Sequence, residues 1–253
     1  MEFSLKQFLI AVPLCFLGGF VDSIGGGGGL ITLPAFMLAG LPAHISIGTN
    51  KIQAFLCNCM STARMWKSKK IVFRLAVPTV IAAFAGSACG AKLNTMVSDR
   101  VLSYFMLAAL PLISIVVFNK RLFSENEGEM PEVNVKTAAV MTAISLVVGF
   151  YDGFYGPGTG TFLIIGFCVL AHLGVSFANG HAKIVNLATS IASMTVYLLN
   201  GQSVILLGVC AGLAAMAGSY IGSGLVLKNG ARAVRPVIIF VIILLMIKII
   251  TGF

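Results

Sequence analysis

The sequence predicts an all-α, polytopic membrane protein built from two related halves, and three observations predict it. Hydrophobic residues make up 58% of the 253-residue chain and charged residues only 10%, whereas a soluble domain carries about 25% charged residues. The apolar residues gather in runs, several of which approach the roughly 20 residues that a membrane-spanning helix needs. Landmarks of the first set of runs recur in the same order in the second set. Lipid must therefore solvate much of the surface.

The apolar runs form two sets of about five segments each. The first set covers residues 5–20, 30–41, 45–65, 73–91 and 101–118, and the second covers residues 135–151, 161–173, 182–199, 204–227 and 234–253. The first two runs of each set are short or flanked by glycine, so we expect broken helices or a re-entrant hairpin there. We expect residues 1–118 to be the first transmembrane repeat, residues 119–136 a cytoplasmic linker, and residues 137–253 the second repeat.

Charged landmarks support the duplication. Asp22 and Asp152 end the related stretches GFVD and GFYD, 130 residues apart, and Lys51 and Lys183 end GTNK and GHAK, 132 residues apart. Glycine and alanine are common in membrane helices, so single matches carry little weight. An ordered series that includes Asp and Lys is hard to reach by chance.

The basic residues indicate orientation. Five cations lie within residues 64–74, which predicts a cytoplasmic loop, while the equivalent loop at residues 200–203 carries no charge. The halves are therefore expected to be inserted upside down relative to each other, as in the inverted repeats of secondary transporters. This distribution explains the net charge of +9 better than nucleic-acid binding does, since the chain has one Trp and no basic-aromatic interleaving. We expect a multi-pass protein of the bacterial inner membrane.

Two glycine-rich breaks are the strongest candidates for a binding site. Irregular backbone at membrane depth is tolerated only where protein buries it or water lines it. Each break is followed by a helix N-terminus with N–H donors and partial positive charge, and two such ends facing each other would bind an anion. The alternative is that the glycines only permit close helix packing. The candidate substrate-binding residues here are Gly26, Gly27, Gly28, Gly29, Gly156, Gly158, Thr159 and Gly160.

Charged and polar residues near the breaks extend the candidate site. Lys51 and Lys183, with Asn50 and His181 beside them, are expected to face the substrate, although a lysine near a helix end also reaches towards an interface.

Asp22 and Asp152 are acidic residues that stand at the end of the first apolar run of each half, before the glycine-rich breaks. They either carry a coupling ion, proton or sodium, or serve as counter-ions to the lysines.

Other polar residues on the third runs, such as Gln53, Asn58, Asn186 and Ser190, are interpreted as contacts between helices. The six cysteines all lie in apolar runs and are interpreted as buried hydrophobic residues, so no metal and no cofactor are expected.

Several motifs resemble those of the sulfite exporter TauE/SafE family. They are GFVDSIGGGGGLITLP at residues 19–34 and IGTNKIQA at residues 47–54, with the echoes GFYDGFYGPGTGTFL and GHAKIVN. The resemblance implies movement of small sulfur-containing anions, such as sulfite, thiosulfate or sulfonates, across the cytoplasmic membrane. The expected inverted repeat favours a secondary transporter that works by alternating access at a midplane site. The partners would be the anion, membrane lipid and a coupling ion, and the oligomeric state stays open. Pro157 stands where the first half has a glycine, so we expect two unequal sites.

Two other functions compete with secondary transport. A passive anion channel also uses glycine-rich breaks, although such filters commonly come from several subunits around one axis. An intramembrane aspartyl protease would hold two Asp residues in helices, but Phe150 and Tyr151 precede Asp152 in place of the GxG of such enzymes. We therefore expect a protein that is not an enzyme. The chain has no GxxxxGK motif, so ATP is not the expected direct energy source.

Overall fold

The computed structural model describes residues 5–97, 132–230, 232–234, 236–237 and 240, and this part of the chain contains helices and no strand. The helices are α1 Leu5–Gly25, α2 Gly29–Leu38, α3 Ala43–Lys67, α4 Phe73–Met96, α5 Val135–Phe154, α6 Thr159–Val169, α7 Val175–Leu199 and α8 Ile205–Asn229. The predicted run at residues 101–118, most of the run at 234–253 and most of the linker at 119–136 lie outside the described residues.

Five of these helices, α1, α4, α5, α7 and α8, are long and apolar enough to cross a membrane. Large apolar side chains on them are exposed, among them Ile81 at 65% and Leu213 at 58%. Such surface is stable only in contact with lipid. The prediction of an all-α, multi-pass membrane protein is confirmed.

Helix α3 has 25 residues but a mixed sequence, with the polar residues Asn50, Lys51, Gln53 and Asn58 all buried. It packs against α7 and α8. Its polar side chains therefore face protein and not lipid, because an unpaired polar group in hydrocarbon costs several kcal/mol.

The two helices that follow the glycine breaks are short. Helix α2 has 10 residues and α6 has 11, so each is about 15–17 Å long, half of the roughly 30 Å hydrocarbon core. The helices before the breaks, α1 and α5, have 21 and 20 residues. The expectation of short segments is right for the second run of each set and wrong for the first. Both first helices continue through their Asp residue, because a paired carboxylate does not interrupt a helix, and end only at the glycines.

Close packing through glycine joins α1 to α8 and α4 to α5. A Cβ atom added at Gly19 would overlap the backbone of Ala215, and one added at Gly149 would overlap the backbone of Ala83. Gly19 and Gly149 are equivalent positions of the two halves, and so are Ala83 and Ala215. Each glycine therefore packs on the alanine of the other half. The remaining glycine contacts of α1 with α8 and of α4 with α5 follow the same exchange, for example Gly222 with Phe20 and Gly90 with Phe150.

At the centre, α3 and α7 run in opposite directions. Gly48 near the start of α3 packs on Gln202, just beyond the end of α7, and Gly180 near the start of α7 packs on Lys70, just beyond the end of α3. Between these contacts, Asn58 Nδ2 of α3 donates to Ser190 Oγ of α7 at 3.3 Å. Asn58 and Ser190 are equivalent positions, 132 residues apart, so an axis that exchanges the halves would pass between them.

Candidate functional site

The two glycine-rich breaks are in direct contact. A Cβ atom at Gly26 would overlap the backbone of Gly160, and one at Gly29 would lie 3.1 Å from Cα of Pro157. Thr161 Oγ1 donates to the carbonyl oxygen of Gly25 at 2.6 Å. The end of α1 therefore meets the start of α6.

Backbone geometry explains why glycine is needed at these positions. Gly26, Gly156 and Gly158 have φ angles of +78°, +100° and +87°, a region in which a Cβ atom is strained. Helix α2 follows the N-cap Gly28 and α6 follows the N-cap Gly158, and neither has a side-chain capping bond. At the start of α2, the N–H groups of Leu30 and Ile31 donate to the carbonyl oxygens of Gly27 and Gly28, and the N–H of Gly28 lies 3.3 Å from Asp22 Oδ1. Both helix N-termini carry a partial positive charge.

A cavity lies at this junction. It offers about 40 Å³ to the centre of a water-sized sphere, which is room for roughly three ordered waters. Its wall is formed by the two glycine-rich breaks and by residues of six helices, α1, α2, α3, α5, α6 and α7. The predicted site residues that line it are Asp22, Gly26, Gly28, Gly29, Asn50, Lys51, Asp152, Gly156, Thr159 and Gly160.

Four predicted site residues lie outside this wall: Gly27, Gly158, His181 and Lys183. Gly158 shapes the turn into α6 through its left-handed backbone. Lys183 is fully buried behind the wall, beside Asp22.

The lysines and aspartates pair across the two halves. Lys51 Nζ lies 3.0 Å from Asp152 Oδ2, and Lys183 Nζ lies 3.1 Å from Asp22 Oδ2. Each ammonium group also donates to the backbone carbonyl of the same aspartate. The side chains of Lys51 and Asp152 are only 3% and 10% exposed, and those of Lys183 and Asp22 are 0% and 17% exposed. A buried charge needs a partner of this kind, so the aspartates act as counter-ions to the lysines in this structure.

The two ion pairs flank the centre on opposite sides. Lys51 precedes Asn58 by seven residues and Lys183 precedes Ser190 by seven residues, which is about 10 Å along a helix. Because α3 and α7 are antiparallel, the pairs lie above and below the Asn58–Ser190 contact. The cavity reaches the Lys51 pair and Asp22, but not Lys183.

Sequence reasoning missed part of the wall. Thr32 in the first turns of α2 donates its hydroxyl to Asn50 Oδ1 at 2.5 Å and lines the cavity. Its position four residues after Gly28 is the signal that could have found it. The polar residues interpreted as contacts between helices also line the wall, and Asn58 does both. The lining residues that were not predicted as substrate-binding are Gly18, Thr32, Gln53, Ala54, Cys57, Asn58, Asn186 and Ser190.

His181 has a structural setting. Its Nε2 accepts from the backbone N–H of Val72 at 3.2 Å, and its Nδ1 lies 2.9 Å from the carbonyl oxygen of Phe177. The equivalent residue, Thr49, accepts from the N–H of Val204 at 3.0 Å. Each side chain therefore secures a loop of the other half: His181 holds the loop before α4, and Thr49 holds the loop before α8. The alignment of GTNK with GHAK contains this correspondence.

The arrangement does not resemble a hydrolytic centre. Each carboxylate of the cavity wall is bound to its own lysine, whereas a pair of catalytic carboxylates shares one proton. No group of three or more His, Cys, Asp or Glu side chains in the described part of the chain could hold a metal ion.

Comparison with known proteins agrees with this description. The chain is 34% identical over 254 residues to a probable membrane transporter protein, ORF9, of Sinorhizobium sp, covering 100% of this chain and 95% of that protein. It is 30% identical to a probable membrane transporter protein of Haemophilus influenzae, covering 91% and 90% of the two chains, and 30% identical to YfcA of Escherichia coli K12, another probable membrane transporter, covering 94% and 88%. No solved structure matches the chain significantly.

Residues 11–249 match the family described as sulfite exporter TauE/SafE. Its members are membrane transporters and not enzymes, in agreement with the apolar spans and the ion-paired carboxylates. The chain is thus a multi-pass bacterial inner-membrane transporter that belongs to the sulfite exporter TauE/SafE family.

Proposed function

We propose that this protein is a secondary transporter that moves small sulfur-containing anions, such as sulfite, thiosulfate or sulfonates, by alternating access at a midplane site. The observation that carries the proposal is the polar cavity at which two helix N-termini and Lys51 come together. Helix N-termini and an ammonium group are both anion-binding groups.

An inverted repeat would provide the two states that alternating access needs. The exchanged glycine contacts and the antiparallel course of the equivalent helices α3 and α7 support it. We propose residues 1–118 and 137–253 as the repeats, joined by the linker at residues 119–136. The two ion pairs tie the halves together on opposite sides of the cavity, so a change of access requires one pair to loosen while the other holds.

The distribution of charge supports a cytoplasmic location for the loop after α3. Helices α3 and α8 run in parallel, since Arg64 donates to the carbonyl oxygen of Tyr220 and Ile52 packs on Gly208. The end of α8 therefore lies beside the end of α3. Helix α4 starts just after α3 ends, and α5 runs parallel to α4, so the start of α5 lies at the same end of the molecule. The described cations at this end are Arg64, Lys67, Lys69, Lys70, Arg74, Lys136, Lys228 and Arg232. At the opposite end, Lys92 is the one described cationic side chain, and an excess of Lys and Arg marks the cytoplasmic side.

Flux into proteoliposomes tests the proposal. Purified protein would be reconstituted, loaded with sulfite or thiosulfate, and followed for release and for exchange against external labelled anion. We expect saturable flux, faster exchange than net release, and accumulation against an anion gradient when a proton or sodium gradient is imposed. A passive channel would show no such accumulation. Liposomes without protein set the leak rate, and flux no faster than this leak for every anion would refute the proposal.

A further inference from the structure

We infer that the transported species is a compact, singly charged, fully hydrophilic oxyanion, and that anions with a hydrocarbon tail are excluded. This inference rests on the proposed function, because it assigns the substrate class of the same cavity. It divides the chemistries that the proposed function leaves together: hydrogen sulfite, a compact monoanion, fits the site, whereas thiosulfate, a dianion, and the organic sulfonates do not.

The wall of the cavity offers almost no apolar side chain. Six lining residues are glycines and ten carry polar or charged side chains, which leaves only Ala54 and Cys57. A site that binds an organic ligand is lined predominantly by hydrophobic and aromatic side chains. A hydrocarbon tail placed here would instead separate polar groups from water without replacing their hydrogen bonds.

The polar wall comes mainly from the first half of the chain. Asn50 and Gln53 line the cavity, and their equivalents in the second half are Ala182 and Val185, which are buried outside it. Thr32 holds Asn50 by its side-chain oxygen, so the NH₂ group of Asn50 is the end left to donate. Lys51 directs two N–H groups at Asp152, and a third remains for a ligand. The wall therefore presents several donors to one small acceptor.

Charge balance limits the anion to a single negative charge. The lysines and aspartates at the site, two of each, cancel. The remaining positive field comes from the N-termini of α2 and α6, each equivalent to about +0.5 elementary charge. Their sum, about +1, matches a monoanion, whereas a dianion would bring a second, uncompensated charge into a buried site.

Size points to the same class. Room for roughly three waters suits an ion made of one central atom and its oxygens. Gly26 lies against the backbone of Gly160, and Gly29 lies against Pro157, so the cavity cannot widen between the two breaks by a change of side-chain rotamer.

The test compares ions of matched size by thermal shift and by competition for flux, with wild-type protein in detergent and in proteoliposomes. Sulfamate, sulfate and methanesulfonate have the same number of non-hydrogen atoms, but sulfate carries a second negative charge and methanesulfonate replaces a polar group by methyl. Ethanesulfonate and propanesulfonate extend the tail. We expect sulfamate to bind at least tenfold more tightly than sulfate and more tightly than methanesulfonate, and we expect propanesulfonate not to compete.

Each other outcome is decisive. Sulfate binding as tightly as sulfamate would overturn the single-charge inference, and an affinity that rises about fourfold per added methylene, as in an apolar pocket, would overturn the exclusion of tails. In both cases transport of anions would stand. Absence of binding and flux for every anion would instead refute the proposed function and this inference with it.

A pair of variants places the selectivity in the cavity wall. Gln53→Val introduces the residue that the second half has at the equivalent position, Val185, and should reduce the preference for sulfamate over methanesulfonate at least threefold. Gln202→Val makes the same change of side chain at a position outside the wall and should leave the preference unchanged. An unchanged preference in Gln53→Val would contradict the assignment of the wall.

Discussion

Removing the ammonium group of Lys51 separates a structural role of the ion pair from a role in binding. In Lys51→Met, the carboxylate of Asp152 keeps the hydrogen bond from Thr159 Oγ1, 2.8 Å away, but loses its ion pair. Both partners are at least nine-tenths buried, so solvent screens the loss only weakly. Leaving a buried charge unpaired costs about 3–5 kcal/mol. We expect a decrease of this size in the free energy of unfolding, measured by titration with sodium dodecyl sulfate in mixed micelles.

The double variant Lys51→Met/Asp152→Leu removes both charges. Replacing a buried ion pair by apolar residues of similar volume is often neutral or stabilising, so we expect most of the lost stability to return. Transport should not return, because the ammonium group of Lys51 lines the cavity. Stabilisation by anions, which follows RT ln(1 + [L]/Kd), should also be absent from the double variant.

Lys183→Met is the matched control. It breaks the equivalent ion pair with Asp22 and should lose a similar amount of stability, but its ammonium group lies outside the cavity wall. Stabilisation by anions should therefore persist in this variant. If Lys51→Met/Asp152→Leu transports anions at the wild-type rate, Lys51 only braces the structure and the assignment of the binding site is wrong.

Three further predictions concern the backbone, the access path and the packing of the helices. Gly156→Ala should abolish transport, since the new Cβ atom would lie 2.8 Å from Nζ of Lys51. Gly40→Ala is the control, because Gly40 has a similar φ of +89° and open space around it; it should cost only the left-handed backbone strain of about 1–2 kcal/mol and keep transport. Equal loss of flux in both variants would show that backbone strain alone is responsible. In a variant with Cys57 as its single cysteine, a polar thiol reagent should react slowly and more slowly still with a transported anion present, because Cys57 is 1% exposed and lines the cavity; a rate independent of the anion would contradict this. Gly90→Ala should destabilise the protein by about 1–3 kcal/mol, because its Cβ atom would overlap the backbone of α5; an unchanged unfolding free energy would show that the contact has room to relax.

Much of the fold could be read from composition, run length and repetition. The sequence indicates the site less completely, for definite physical reasons. The ends of α1 and α5 were placed too early because Asp22 and Asp152 look like the end of an apolar run, although each is buried and paired. His181 stands near Lys183 in the sequence, while its ring nitrogens contact the loop before α4 and the carbonyl oxygen of Phe177; its role towards the substrate stays a prediction. Thr32 was missed because a threonine in an apolar helix has no distinctive pattern.

The sequence by itself determined the membrane setting, the two breaks and the equivalence of their residues. These properties depend on hydrophobicity, on glycine and on order along the chain, all of which are local. The tertiary structure alone decided that Lys51 pairs with Asp152 and Lys183 with Asp22, each across the halves. The sequence repeat shows which residues correspond, but it does not show whether a lysine pairs with the aspartate of its own half or of the other half. That choice depends on how the two halves pack. Packing also decided that the cavity reaches Lys51 and not Lys183, because the first half lines it with Asn50 and Gln53 where the second half has Ala182 and Val185.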